Sequence, residues 1–395
     1  MEYYNKFCCD YENILKRDVV CPVTKIQVLD HSEFPMYEIQ DDIVRDSDNI
    51  SFSYTQGSQS KVSFEIDDPD GRYIPSYDSP FWYNKKFKFW KGVKDLYNGD
   101  IYWFSQGVYV ISNVSAEQGK LSISGVDKFG MFSGEYGMGQ LSANFKLEAG
   151  SNLKYVYECL LNTDMGNGKI IDPIKPIIDP RLWEQTIGED IEVSGGGYIA
   201  DIATEIANVC RCHVYYDLDG HLRVDKGTTD YLFQHQGQAW EFDDHKTAEY
   251  LNASVEYDFS SVINIVDVYG EDSEGRQYFY NEKNTNPQSE TSIDKIGKRY
   301  GGTIENLLGY NQENTKYYAE TYLTLHTIQH LGVKVNTILL PHLKVGDVVV
   351  VTDEYYGWDK KRFMVNGIDI TGGKETLSLM NVDSLPYFKE LSSDS

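Results

Sequence analysis

A few stretches of this 395-residue sequence carry residue types and spacings that do chemistry in other proteins. Gly195-Gly196-Gly197 stands directly before Tyr198–Val209, whose Ile199, Ile202, Ala203 and Ile206 recur at helical spacing. Glycines at a helix N-terminus suit a phosphate, because free backbone N–H groups point at it. The spacing is not G-x-G-x-x-G, and no Gly-Lys-Ser/Thr follows, so the glycines read as a flexible approach to the helix. Asp67, Asp68, Asp70 and Gly71, and again Asp217, Asp219 and Gly220, resemble fragments of a calcium loop. Both lack the remaining oxygen ligands and the closing Glu at the twelfth position, so both read as turns. His326 and His330 are four apart on a predicted helix, the spacing that lets two imidazoles share a metal. No acidic or cysteine partner is fixed near them, and they read as a packed or surface pair.

The six cysteines, Cys8, Cys9, Cys21, Cys159, Cys210 and Cys212, show neither a disulfide framework nor zinc-ligand spacing. They read as free, mostly buried thiols made in a reducing cytoplasm. Neither H-E-x-x-H nor G-x-S-x-G occurs, and among 61 carboxylates nothing singles out a pair for glycosidase work. The expectation is therefore no catalytic residue, no cofactor and no metal ligand.

Composition turns the question from chemistry to assembly. The chain has room for two to four domains and holds 31 Tyr against 17 Phe and 6 Trp. Tyr joins an apolar ring to a polar tip, which suits half-buried strands and contact surfaces. With 36 basic and 61 acidic residues the formal net charge is −25. Lys85-Lys86 and Lys360-Lys361-Arg362 are too short to form a phosphate-binding patch, so specific nucleic-acid binding is disfavoured. The N-terminus lacks a basic start followed by an apolar run, so no secretory signal is expected. Nor do about 18 apolar residues run together, so no membrane span is expected either.

The elements come as strands first. Lys25–Leu29 opens the series, and Asn49–Tyr54 and Lys61–Ile66 alternate strictly around the turn residues 55–60, which predicts a hairpin. Lys86–Trp90, Trp103–Val114 and Leu121–Val126 follow at barrel or sandwich spacing. From about Ala149 the texture changes. Ser151–Leu161 and Tyr198–Val209 read as helices, and His213–Tyr216 and His221–Val224 as a hairpin joined through Asp217-Leu218-Asp219-Gly220, together an inserted α/β unit. Ala253–Tyr257 and Val262–Tyr269 resume strands expected in a second β-domain. A polar loop over about 281–311 and a helix over about 313–330, with Tyr318, Tyr322, Leu325 and Ile328 on one face, interrupt it. Pro341–Asp383 closes the chain as a meander: Val348–Val351, the return Lys360–Val365, a reversal at Thr371-Gly372-Gly373-Lys374 and a last strand Leu377–Met380.

That meander has an echo. Leu121-Ser122-Ile123-Ser124-Gly125-Val126-Asp127 matches Leu377-Ser378-Leu379-Met380-Asn381-Val382-Asp383 in type and spacing. Upstream, Trp103 precedes Tyr109–Val114 much as Trp358 precedes Phe363–Ile368. The fold class expected is mainly β with α/β insertions: two related antiparallel β-barrel domains plus inserted α/β and helical segments. The boundaries fall at 1–145 for the first barrel, 146–245 for the α/β insertion, 246–283 with 333–388 for the second barrel, 284–332 for the loop and helix insertion, and 389–395 for a frayed tail.

The order NISFSYTQGSQSKVSFEI, then ISGVDKF, then YIADIATEIANVCRCHVYYDLDGHLRV, then PHLKVGDVVVV resembles the baseplate (tail) hub proteins of tailed phages and contractile injection systems across nearly the whole chain. The resemblance implies two tail-tube-like barrels per subunit and a homotrimer that adapts a sixfold tail tube to a threefold central spike around a channel for DNA passage. It implies as partners the tube or distal tail protein, the spike or tail-tip protein and other baseplate proteins. It also implies a place in the virion tail baseplate after synthesis in the host cytoplasm. Some hub proteins continue into a peptidoglycan-cleaving or receptor-binding part; here such an activity is expected on a separate protein. The rival expectations are a tail-associated cell-wall hydrolase and a carbohydrate- or receptor-binding tail module.

Overall fold

The computed structural model describes residues 13–15, 21–133, 139–141, 144–166, 168–188, 190–226, 238–247, 249–260, 262–272, 274–287, 289–308, 311–328 and 331–381. Cys8, Cys9, His330 and the expected tail 389–395 lie outside the described residues.

The first β-region comprises β1 (Cys21–Leu29), β2 (Pro35–Ile39), β3 (Asn49–Ser53), β4 (Ser60–Asp67), β5 (Lys86–Lys94), β6 (Ile101–Glu117) and β7 (Lys120–Asp127). The predicted hairpin is present as antiparallel β3 and β4, with Ile50, Phe52, Val62 and Phe64 inward on their alternating faces. After β7 comes the α/β unit: β8 (Phe145–Leu147), α1 (Leu153–Leu161), β9 (Ile177–Ile178), β10 (Ile191–Val193), α2 (Ile199–Val209), β11 (Cys212–Tyr216) and β12 (Leu222–Lys226). Asn152 caps α1 by accepting from the Lys154 N–H, and α2 buries Ile199, Ile202, Ala203 and Ile206, the stripe its sequence predicts. The unit has a hydrophobic core of its own.

The rest of the chain contains β13 (Gln238–Asp243), β14 (Tyr250–Tyr257), β15 (Ile265–Glu271), β16 (Gln277–Lys283), α3 (Ile293–Ile296), β17 (Tyr300–Leu308), α4 (Gln312–Ile328), β18 (Leu331–Ile338), β19 (Val348–Asp353), β20 (Trp358–Thr371) and β21 (Lys374–Asn381). Here the structure departs from expectation in two places. β15 and β16, expected in the second β-domain, pair instead with β17 in a separate three-stranded sheet. Val266, Val268, Ala319 and Leu323 form its small core against α4, flanked by Tyr318 and Tyr322. The supposed polar loop also holds β17. Gly301 lies where a Cβ would meet Ile263 Cδ1 at 2.4 Å, so a close backbone approach, rather than a turn, accounts for a glycine in that strand.

The protein is mainly β, as expected. The two expected barrels take a different form: among the described residues the strands run as one open 13-stranded sheet, β14-β18-β21-β20-β3-β4-β7-β6-β5-β1-β2, with β19 beside β20 and β13 beside β19. The reason is the length of β20. Its first half pairs with β19, and its second half, from Gly367, pairs with β3, so the two β-regions fuse instead of closing separately. One core accordingly draws Phe64, Phe87, Phe89 and Tyr109 from the first region and Phe242, Val349, Phe363 and Leu377 from the second.

Candidate assembly interface

Strand pairing shows that the echo in the sequence is a structural repeat. In the first region the order of neighbours is β3-β4-β7-β6-β5, and in the second β14-β18-β21-β20-β19, each set connected in the same chain order. The turn pairs Glu117↔Lys120 and Thr371↔Lys374 close the two hairpins alike. From those turns inward, the register slips between Ile111 and Asn113 on β6 and at the same distance, between Val365 and Gly367, on β20. A second irregularity follows Phe89 where β5 meets β6 and follows Val351 where β19 meets β20. Bulges bend a strand and raise its twist at one point, so two coincident bulges mean two sheets of the same shape.

The register also corrects the sequence alignment by two residues. Lys120 corresponds to Lys374, so Leu121 corresponds to Glu375 and Ile123 to Leu377. A slip of two keeps every side chain on its face, and for that reason the echo was visible at the wrong offset. The copies diverge at the outer strand: β1 is antiparallel to β5, whereas β13 is parallel to β19.

Glu375 is thus a carboxyl in a position that the other copy fills with leucine. It is 1% exposed, accepts one hydrogen bond from the Leu340 N–H at 2.8 Å, and burial pushes its pKa up to about 8. Because the folded-state value lies above the unfolded one, Glu375 binds a proton on folding. Its stabilising effect is present at acid pH and is lost as pH rises through about 8. Glu375→Gln is expected to remove a slope of roughly 1 kcal/mol per pH unit between pH 6 and 8, read as the difference between variant and wild-type urea midpoints. Parallel pH profiles for the two proteins would show that the carboxyl is not buried as described.

The two copies meet at a joint made by β20 and β3. Gly367 faces Ser53, Ile368 faces Phe52, Asp369 faces Ser51, Ile370 faces Ile50 and Thr371 faces Asn49. Ile50, Phe52, Ile368 and Ile370 are all buried, each contributing roughly 1.5–3 kcal/mol by leaving water. Gly367 allows the close approach, since a Cβ there would stand 3.2 Å from the Phe52 carbonyl oxygen. At its ends the joint is fastened by Gly372 N–H donating to Asp48 O (3.1 Å) and Tyr54 N–H donating to Asn366 O (2.8 Å). Lys91 locks the first of these ends: its Nζ donates to Asp48 Oδ2 (2.7 Å), Thr24 Oγ1 (3.1 Å) and the Gly372 carbonyl (3.0 Å).

The residues with chemical potential in the sequence lie apart from this joint. Gly195–Gly197 precede α2, with Gly195 N–H donating to Asn144 Oδ1. Asp68 accepts from the Arg72 and Tyr73 N–H groups, and Asp217 from those of Asp219 and His221, each carboxylate holding its own turn. His326 stacks on Tyr322 and faces the Tyr322 carbonyl at 2.9 Å. Cys210 and Cys212 are buried, whereas Cys21 and Cys159 are half-buried, so the thiols are less uniformly buried than expected. Among the described residues no group of three or more His, Cys, Asp or Glu side chains is placed to hold a metal ion. No helix among them is long and apolar enough to cross a membrane.

No protein-family model and no curated protein matches the sequence. Solved structures do match it. A tail protein from Neisseria meningitidis MC58 superposes with a TM-score of 0.61 at 14% identity, over 92% of this chain and 98% of that one. The 43 kDa tail protein of prophage MuSo2 from Shewanella oneidensis gives 0.61 at 10% identity, over 92% and 99%. Prophage tail protein gp18 from Listeria monocytogenes EGD-e gives 0.51 at 15% identity, over 90% and 94%. The likeness extends over nearly the whole of each chain, and this chain shares the fold of these three phage tail proteins.

Proposed function

We propose that this chain is a structural phage tail protein, a homotrimeric baseplate hub that joins a sixfold tail tube to a threefold spike around a channel for DNA. The observation that carries the reading is the five-stranded unit present twice in one chain, with the same strand order and the same two irregularities. Three copies of a subunit with two near-equivalent units offer six similar faces to one partner while keeping threefold symmetry for another. The similarity in fold to proteins described as tail proteins supports the same reading. So does a formal charge of −25, which favours passage of DNA over its retention.

Its partners in this reading are further copies of itself, the tube or distal tail protein, the spike or tail-tip protein and neighbouring baseplate proteins. Its role is assembly without catalysis. Light scattering on the purified chain is expected to give the mass of three subunits, and negative-stain images a six-lobed ring with a central hole. A mass of one or two subunits at every concentration would overturn it. Clearing of peptidoglycan in a zymogram, abolished by one carboxylate substitution, would instead favour the cell-wall hydrolase.

A further inference from the structure

Resting on the hub reading, we propose that adjacent copies join edge to edge, β6 of one copy to β14 of the next, in the register that β20 and β3 adopt within a single chain. Each half of the internal joint has a counterpart in the repeat, and among the described residues those counterparts are unpaired on that side. β6 corresponds to β20, yet it pairs with β5 only as far as Val110. Beyond that point Asn113–Glu117 has β7 on one side and, among the described residues, no strand on the other. β14 corresponds to β3, and among the described residues it stands at the end of the sheet with β18 as its one strand neighbour.

Transferring the internal register through the repeat sets Val114 opposite Tyr257, Ser115 opposite Glu256, Ala116 opposite Val255 and Glu117 opposite Ser254. Apolar residues meet apolar ones and polar residues meet polar ones. Val114, Ala116, Val255 and Tyr257 take the positions of Ile368, Ile370, Ile50 and Phe52, which are buried in the internal joint. Tyr257 is 57% exposed where its counterpart Phe52 is 8% exposed, which is the difference expected of a joint awaiting its second strand. Its ring stacks on Phe259, itself 67% exposed.

The backbone ends transfer as well. Gln118 N–H takes the place of Gly372 N–H and meets the Ala253 carbonyl; Phe259 N–H takes that of Tyr54 N–H and meets the Ser112 carbonyl. Tyr356 Oη already donates to Ala253 O at 3.2 Å, and the second lone pair of a carbonyl leaves room for another donor. A long unpaired edge is a template for another strand. Here the two edges differ, so the contact is head-to-tail rather than two-fold, and with the three subunits of the hub reading it closes a ring.

The test is a cysteine pair. Ser115 and Glu256 are exposed, face each other in the transferred register and occupy a non-hydrogen-bonded site, where side chains approach most closely. Within one copy they are separated by the strands from β18 to β7, beyond the roughly 4.4–6.8 Å that a disulfide spans between Cα atoms. Oxidised S115C/E256C protein is expected to run on non-reducing gels as one discrete multimer that reductant dissolves. Each single variant, and the register-shifted pair S115C/S254C, is expected to give at least tenfold less. Cross-linking no greater than in the single variants, whether the chain is a multimer or a monomer, overturns the joint, and equal cross-linking by the shifted pair overturns the register. Antibody labelling of purified particles separates the two readings. Label at the tail end without the cross-link removes only this joint, whereas a cross-linked ring formed by a chain that the particles lack removes the hub.

Discussion

Lys128→Met is expected to destabilise the protein by about 3–5 kcal/mol, the usual effect of removing one partner from a buried ion group. Lys128 is fully buried just after β7. Its Nζ lies 2.5 Å from Glu33 Oε1 and 2.8 Å from Asp172 Oδ2, donates to the Gly220 carbonyl at 2.7 Å, and sits 4.9 Å above the Tyr216 ring. Lys86 completes the group, donating to Glu33 Oε1 at 2.7 Å, and its pKa is lowered by burial and then by the charge of Lys128. Tyr216 Oη donates to Asp172 Oδ2 at 2.6 Å.

This cluster ties the β1–β2 loop, β5 and the end of β7 to the α/β unit, and methionine would match the lysine stem while leaving two carboxylates with one cation. The loss should appear as a lower guanidinium midpoint and as early proteolysis of the α/β unit. K128M/D172N should recover at least 1 kcal/mol relative to the sum of the single effects, because the substitutions remove both members of one pair. Strict additivity would show that the group does not act as a unit.

Lys91→Met is expected to have an effect of similar size, about 3–5 kcal/mol, located at the joint between the repeats. The side chains of Lys91 and Asp48 are 2% and 3% exposed, so substitution strands a buried carboxylate and frees the Gly372 carbonyl together. The space around that turn leaves no alternative seat: a Cβ on Gly372 would stand 3.1 Å from Asp46 Cβ, and one on Gly373 2.9 Å from Pro22 Cγ. Amide exchange should therefore accelerate first along Gly367–Thr371 and Asn49–Ser53, ahead of β4 and β7. Uniform acceleration through the whole sheet would place the weakness elsewhere.

Neither lysine announced itself in the sequence. Lys86 stands in the sequence only within a basic pair too short for a phosphate-binding patch, and Lys91 and Lys128 carry no signal, because the partners Glu33, Asp48 and Asp172 are remote in the chain and only folding assembles them. What was legible followed local rules. The β3–β4 hairpin showed in strict alternation, α2 in its apolar stripe, and the repeat in two similar hairpins. Alternation says that a segment is a strand but not which sheet takes it, so β15 and β16, expected in the second β-domain, stand instead in the separate sheet with β17. β17 was hidden by the adjacent Gly301 and Gly302. The joint of β20 with β3 was beyond reach for the same reason: a strand's sequence records its inward face, while the identity of its lateral neighbour is decided by the length and bending of the whole sheet.

The bulged hairpins give the molecule a direction. Both tight reversals, at Gln118-Gly119 and Gly372-Gly373, lie at one end of the strands. The α/β unit leaves from the other end after β7, and at that end the first copy has the short β3–β4 connection where the second inserts the β15–α4 unit. One pole therefore displays the same motif twice per chain, while the opposite pole displays two unlike decorations once each. In the proposed hub, the doubled hairpins would meet the partner of higher symmetry and the two single decorations the partner of lower symmetry, with no hinge needed between them.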